Sequence, residues 1–415
     1  MVKNLVILMN TKMKPIMSSN LELSKLSSAG LEWVQTLIRM DTTSRNSNLE
    51  LIETVRDFFN LHGIVSTLTY DRSGKKANLF ATVPAANGET NGGVVLSGHT
   101  DVVPVDGQQW VSDPFSPLLK DGKLYGRGSC DMKGFIGIAL GLVPKMREAE
   151  LANPLHFALS YDEEIGCAGA PLMLADLKAR GVRLDGCIVG EPSSMRVVVA
   201  HKGINAYRCC VTGHAAHSSL TPQGVNAIEY AARLICYIQD LADSFKKQGP
   251  FDTAFDVPFT TAQTGTIRGG NAVNTVPARC EFEFEFRDLP GVDPKGIYQE
   301  ILRYAEHELV PKMRLTREEA NITFETISTA PALDAAEQAA INGLVRALRR
   351  DTDTRKVAYA TEAGLFQTAG IPSIVCGPGN IEQAHKANEF VELEQLAACE
   401  KFLQKLIVSL SATPE

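Results

Sequence analysis

The chain has 415 residues, with 41 Lys and Arg against 48 Asp and Glu and a formal net charge of −7. That length predicts two or three domains with an ample core, and the acidic balance argues against nucleic acid, which would favour a basic face. No apolar run approaches the roughly 20 residues that span a bilayer, and nine cysteines without a CxxC pair fit reduced cytosolic thiols better than a disulfide framework.

The first segment, MVKNLVILMNTKMKPIM, is basic, with no acid before Glu22. Its apolar core, residues 5–9, is too short for a secretory signal, and a transit peptide would normally carry arginine. Residues 1–20 therefore read as a poorly ordered extension, and the protein as cytoplasmic. Further on, the runs 93–97, 155–159 and 187–189 are apolar and bounded by Gly or polar residues, as buried parallel strands are. His99 and Asp101, Glu163 and Glu164, and Glu191 follow just past their ends. Asp131 precedes an apolar stretch, 132–146, where it could serve only as a helix N-cap. A fourth run, 371–376, leads through Gly-Pro-Gly to His385.

These positions belong together. In open α/β sheets, ligands bind outside the carboxyl ends of the strands, so the five segments are expected to converge at one rim. A histidine–carboxylate set of this kind suits two divalent cations such as zinc, cobalt or manganese. Each residue has an ordinary reading too: Glu191 as a turn residue, Glu163-Glu164 as a solvated acidic pair, His385 as an exposed loop histidine. Five element ends that all offer ligand-type residues outweigh those readings.

After Glu191 the pattern changes. It predicts a strand at 206–212, a helix over 225–241 capped by Thr221 and Pro222, strands at 261–267 and 279–287, a helix at 294–308, and a strand at 322–327. That order is a βαββαβ, ferredoxin-like α+β unit. Acidic and aromatic residues alternate from Glu281 to Phe286, the period of a half-exposed antiparallel strand. Residues 243–258 read as a loop. The expected organisation is a discontinuous α/β domain, 1–201 and 331–415, with a mainly parallel sheet flanked by helices, and 202–330 inserted into it.

The stretches SGHTDVVPVDGQQWVSDPF, LYGRGSCDMKGF, SYDEEIGCAGA, VGEPS, GHAAHSS, GGNAVNTVPARCEFEFEFRDLPG and ATEAGLFQTAGIPSIVCGPGNIEQAHKANEF resemble the M20 family of dinuclear metallo-aminoacylases and peptidases. The resemblance implies two divalent cations per subunit, zinc ahead of cobalt or manganese. Asp131 would bridge them, His99 and Glu191 would complete one site, and Glu164 and His385 the other. Asp101 would orient His99, and Glu163 would be the general base. The insert would act as a lid and dimerisation domain in a homodimer. From it His217 would reach an active site, that of the partner subunit, and donate to the oxyanion. Asn274 and Arg287 would hold polar groups of the substrate.

The segments DTTSRNSN and TEAGLFQ point within that family to a deacetylase of arginine biosynthesis that turns N-acetylornithine into ornithine and acetate, with Glu362 pairing with the substrate ammonium. Simpler readings stand beside these: an exposed loop histidine for His217, an ion pair with Asp288 or a strand glutamate for Arg287, a first-turn helix acid for Glu362. Succinyl-diaminopimelate desuccinylation is disfavoured, because His201-Lys202 stands where that activity usually shows paired arginines. N-acetylcitrulline deacetylation, other aminoacylase or dipeptidase activity, and a non-catalytic relative kept for binding are the further alternatives.

Overall fold

A computed structural model describes residues 26–411 of the chain; the extension expected at 1–20 lies outside the described residues. Sixteen strands follow in chain order. They are β1 (Ser66–Tyr70), β2 (Ala77–Val83), β3 (Val94–His99), β4 (Leu118–Lys120), β5 (Lys123–Tyr125), β6 (Leu155–Ser160), β7 (Gly186–Pro192), β8 (Val198–His201), β9 (Ile204–Thr212) and β10 (Thr261–Gly269). The remainder are β11 (Arg279–Arg287), β12 (Asn321–Ala330), β13 (Leu333–Asp334), β14 (Arg355–Val357), β15 (Ser373–Gly377) and β16 (Phe390–Glu392).

The central sheet has the order β1-β2-β6-β3-β7-β15-β8-β13, with β14 on β8. Its middle strands β6, β3, β7 and β15 are parallel and buried along their whole length, because apolar side chains line both faces. Helices Lys133–Gly141 and Leu393–Leu410 pack on this sheet, where Phe135, Ile136, Leu396 and Leu403 join one continuous core with Leu96, Phe157 and Ile188. A small sheet, β16-β5-β4, ties the chain near His385 to the segment before Asp131. Among the described residues, no helix is long and apolar enough to cross a membrane.

The second sheet, β10-β11-β9-β12, is antiparallel throughout. Its order is that of a ferredoxin-like unit, and helices Ala227–Gln248 and Pro294–Tyr304 supply the apolar cover. Burial alternates along β9 and β11, so Phe282, Phe284 and Phe286 face these helices. On the other face Arg208 bridges Glu283 and Glu325, each at 2.9 Å. Its core, from Tyr207 to Ile322, is separate from that of the central sheet.

Local differences from expectation have clear causes. The helix expected from 225 is capped by Asn226, not Thr221: the Asn226 side chain accepts from the N–H groups of Ile228 and Glu229, while Thr221 and Pro222 lie in a 3₁₀ turn, Ser218–Gln223. That helix continues to Gln248, so most of the loop expected at 243–258 begins later. The apolar stretch 132–146 forms two helices, Lys133–Gly141 and Val143–Glu148, the second starting with Pro144 in its first turn, where a missing N–H costs nothing.

Candidate active site

His99 is the last residue of β3, Glu191 stands next to last in β7, and Glu163 and Glu164 follow β6. His385 arrives from the loop after β15, where its backbone φ is +63°. Met132, not Asp131, is the N-cap of helix Lys133–Gly141, so the Asp131 carboxylate is left to the rim.

The side chains converge. His99 Nε2 lies 2.9 Å from Asp131 Oδ1 and 3.6 Å from Glu191 Oε1. His385 Nε2 lies 2.9 Å from Glu164 Oε2 and 3.4 Å from Asp131 Oδ2. Two three-residue groups therefore share Asp131, and in each the donor atoms lie within 4.8 Å of one another. His99, Asp131 and Glu191 are buried, whereas the His385 ring is 57% exposed and forms the open side.

Electrostatics at this rim call for positive charge. Burial pushes Glu163 and Glu191 well above the ordinary carboxylate range and Glu164 up to about 7, and their acidic neighbours add to the effect. Burial also opposes ionisation of Asp131, but the imidazoles of His385 and His99 outweigh it and hold that carboxyl far below its usual range. His385 is pushed up to about 10 by its bonds to Asp131 and Glu164. Among the described residues, histidines are the only basic side chains paired with Asp131, Glu164 and Glu191, and no basic side chain pairs with Glu163. Buried carboxylates this close repel unless cations lie between them, so the donor set fits two divalent ions.

Asp101 sits between the two halves. Its carboxylate accepts from the peptide N–H of Glu163 at 3.0 Å, that of Glu164 at 3.3 Å, and the Ser44 hydroxyl at 2.7 Å. His99 Nδ1 faces the backbone carbonyl of Asp101 at 2.9 Å, with the carboxylate at 3.6 Å. The backbone of Asp101 is thus the nearer partner of the imidazole, while its carboxylate grips the glutamate pair. Glu163 also accepts from the Cys167 thiol at 3.4 Å. Gly166, in the same loop, has φ +106°, and a Cβ there would stand 2.0 Å from Ser328 Cβ of β12, so the second sheet abuts the loop directly.

Other expected site residues make no described hydrogen bond or ion pair with this cluster. His217 and Asn274 are exposed and adjacent: the Ser218 N–H donates to the Asn274 carbonyl at 3.0 Å, and His217 pairs with Thr275. No described hydrogen bond or ion pair joins either to the five clustered residues of its own chain. Arg287, half-buried at the end of β11, donates to Glu285 at 3.3 Å, the strand-glutamate pairing. Glu362 is 1% exposed, and neither of its oxygens meets a donor in hydrogen-bonding geometry. Burial pushes it up to about 7, against a smaller pull from nearby Ser160, and its charge is felt by Glu163. Gln108, Arg127 and Glu389 also surround the cluster without having been expected there; their one sequence signal is that Arg127 and Glu389 each lie four positions from Asp131 and His385.

Residues 95–409 match Peptidase family M20/M25/M40. Fold and match together define a metal-dependent amidohydrolase. The acetylornithine deacetylase of Pasteurella multocida (strain Pm70) is 33% identical over 374 residues, which cover 90% of this chain and 94% of the relative. That of Proteus mirabilis (strain HI4320) is 32% identical over 369 residues, 88% of this chain and 91% of the relative. A dinuclear metal-binding peptidase of the M20 family from Bacillus subtilis shares the fold at a TM-score of 0.63 and 15% identity, covering 92% of this chain and 97% of its own. The chain belongs to the M20 peptidase family.

Proposed function

We propose that this enzyme hydrolyses the amide of an N-acyl amino acid, and that its substrate is N-acetyl-L-ornithine. The observation that carries the reading is the pair of three-residue groups sharing Asp131, with Glu163 beside them. In this reading Asp131 would serve both of two cations, His99 and Glu191 would hold one, and Glu164 and His385 would hold the other. Zinc, ahead of cobalt or manganese, would polarise the amide carbonyl and lower the pKa of the attacking water.

Glu163 then removes a proton from that water and returns it to the leaving amine. Burial beside Glu164 raises the proton affinity of Glu163, which suits a group that must take a proton from water and hand it on. Asp101 keeps Glu163 and Glu164 in place through their peptide N–H groups. The products are acetate and a free α-amine.

The names of the two relatives support N-acetylornithine as substrate. So does Glu362, a buried acid whose oxygens lack a donor and which we assign to the δ-ammonium. We assign Asn274 and Arg287 to the substrate's other polar groups; Arg suits bidentate carboxylate binding. We further read 202–330 as a lid and dimerisation domain whose His217 serves the partner's site. The open edges of β10 and β12 support pairing by strand addition, and the exposure of His217, whose described partners are Ser219 and Thr275, leaves it free for the crossing.

The test is metal analysis of the purified protein with kcat/KM for N-acetylornithine, N-acetylcitrulline, succinyl-diaminopimelate and a neutral N-acetyl amino acid. Two cations per subunit and the highest value for N-acetylornithine are expected. A higher value for another substrate would overturn the ornithine reading and leave amide hydrolysis standing.

A further inference from the structure

Glu389 is 1% exposed, and donors surround its carboxylate. Oε2 accepts from Arg127 Nη1 at 2.7 Å and from the Gly128 N–H at 3.1 Å. Oε1 accepts from the Cys130 N–H at 2.8 Å and the Asp131 N–H at 3.1 Å. Arg127 is equally buried; it also donates to the Lys386 carbonyl at 3.3 Å and to Gln108 Oε1 at 2.7 Å. Gln108 Nε2 in turn donates to the His385 carbonyl at 2.9 Å. One web of hydrogen bonds thus joins the peptide of Asp131 to the peptide of His385, the two residues whose side chains meet at 3.4 Å.

A buried ion pair is weak evidence for stability alone, because a well-packed apolar pair often does as well. An apolar pair could not, however, accept the N–H groups of Gly128, Cys130 and Asp131 and fix where Asp131 points. Partners that orient a metal ligand are worth about 10–100-fold in metal affinity. We propose that Glu389, held by Arg127 and Gln108, is a positioning residue that sets Asp131 against His385 and so tunes the cation site those two share with Glu164. The proposal rests on the two-cation reading above.

The test is titration of wild type, Glu389→Gln and Gln108→Leu with cobalt(II), followed by calorimetry and the visible cobalt absorption, with urea unfolding measured alongside. Glutamine replaces one acceptor oxygen with an amide that itself donates. Glu389→Gln should bind one cobalt about as wild type and the other roughly tenfold to a hundredfold more weakly, with a changed band. Gln108 is partly exposed, so Gln108→Leu should fold normally; it should weaken the same site by a smaller factor with an unchanged unfolding midpoint. If Glu389→Gln fails to fold, Gln108→Leu decides alone. Wild-type cobalt affinities and spectrum in Gln108→Leu, or in a folded Glu389→Gln, would overturn the positioning role. A wild type that binds fewer than two cations would overturn the two-cation reading and this proposal with it.

Discussion

The carboxylate of Asp101 holds the peptide N–H of Glu163 at 3.0 Å, reaching from the end of β3 to the loop after β6. The proposed base therefore owes its place to a residue whose side chain is not among the proposed ligands. Asp101→Asn keeps one acceptor oxygen but turns an amide N–H toward a peptide N–H. A fall in kcat of about 10–100-fold is expected, with metal content nearly unchanged, and a larger fall for Asp101→Ala. Steady-state kinetics with metal analysis on the same samples would decide it; unchanged turnover in Asp101→Asn would deny the grip any part in catalysis.

Glu163→Gln removes the proton acceptor while keeping shape. It should retain both cations and lose about 10²–10⁴ in kcat, the usual share of general acid–base catalysis. A metal-replete variant that turns over normally would take the role of base away from Glu163.

His217 and Glu163 should complement each other across subunits. Mixing inactive His217→Ala with inactive Glu163→Gln, under conditions of demonstrated exchange, should recover activity, because one site of each heterodimer then has both residues intact. Continued inactivity would place His217 in its own subunit's site or outside catalysis.

Glu362→Gln tests how the substrate is read. If Glu362 meets the δ-ammonium, kcat/KM for N-acetylornithine should fall about tenfold to a hundredfold relative to a neutral substrate such as N-acetylmethionine, since a hydrogen bond to a charged group contributes about 1.5–3 kcal/mol. Equal losses on both substrates would show instead that this acid acts through Glu163, whose protonation its charge already favours.

His201 should make the fold acid-sensitive. Burial lowers its pKa to about 4, below the ordinary histidine value of about 6.5, and Nε2 has no hydrogen-bond partner among the described residues. Between these two values the unfolded chain binds the proton that the folded chain refuses, so stability rises with pH across that window and falls as pH drops from about 6.5 toward 4. His201→Gln should flatten this slope by on the order of 2 kcal/mol between pH 7 and 5, read from urea midpoints against wild type. Parallel slopes in the two proteins would rule out His201 as their source.

The proposed ligands were legible because strand ends in an α/β sheet are predictable from short apolar runs, and the residues just past them are chemically conspicuous. His99, Glu164, Glu191 and His385 all stood out this way. Asp131 did not stand out alone, since a cap and a ligand look the same in one dimension; the structure separates them by giving the cap position to Met132. The cap of helix Ala227–Gln248 was misplaced for a similar reason: Thr221-Pro222 and Asn226 are both good starting signals, and only the 3₁₀ turn between them chooses. Arg127 and Glu389 offer only a four-residue spacing from Asp131 and His385, and Gln108 not even that, because their meaning lies in bonds spanning up to 277 positions, which no local pattern encodes. Nor could spacing show that Ser44 reaches Asp101 across 57 positions.

Ile204, the first residue of β9, faces Ala330, the last of β12, and just outside them Leu333 faces His201. The chain thus leaves the central sheet and comes back through one doorway. A segment whose two ends already touch adds little to the entropy of closing the body around it. The central sheet can draw its last strands together whatever the intervening segment is doing. Such a segment is a cassette: it can be lengthened, trimmed or exchanged over evolutionary time while the rim from His99 to His385 keeps its shape, and what the cassette touches, as Ser328 touches Gly166, is where new selectivity can be written.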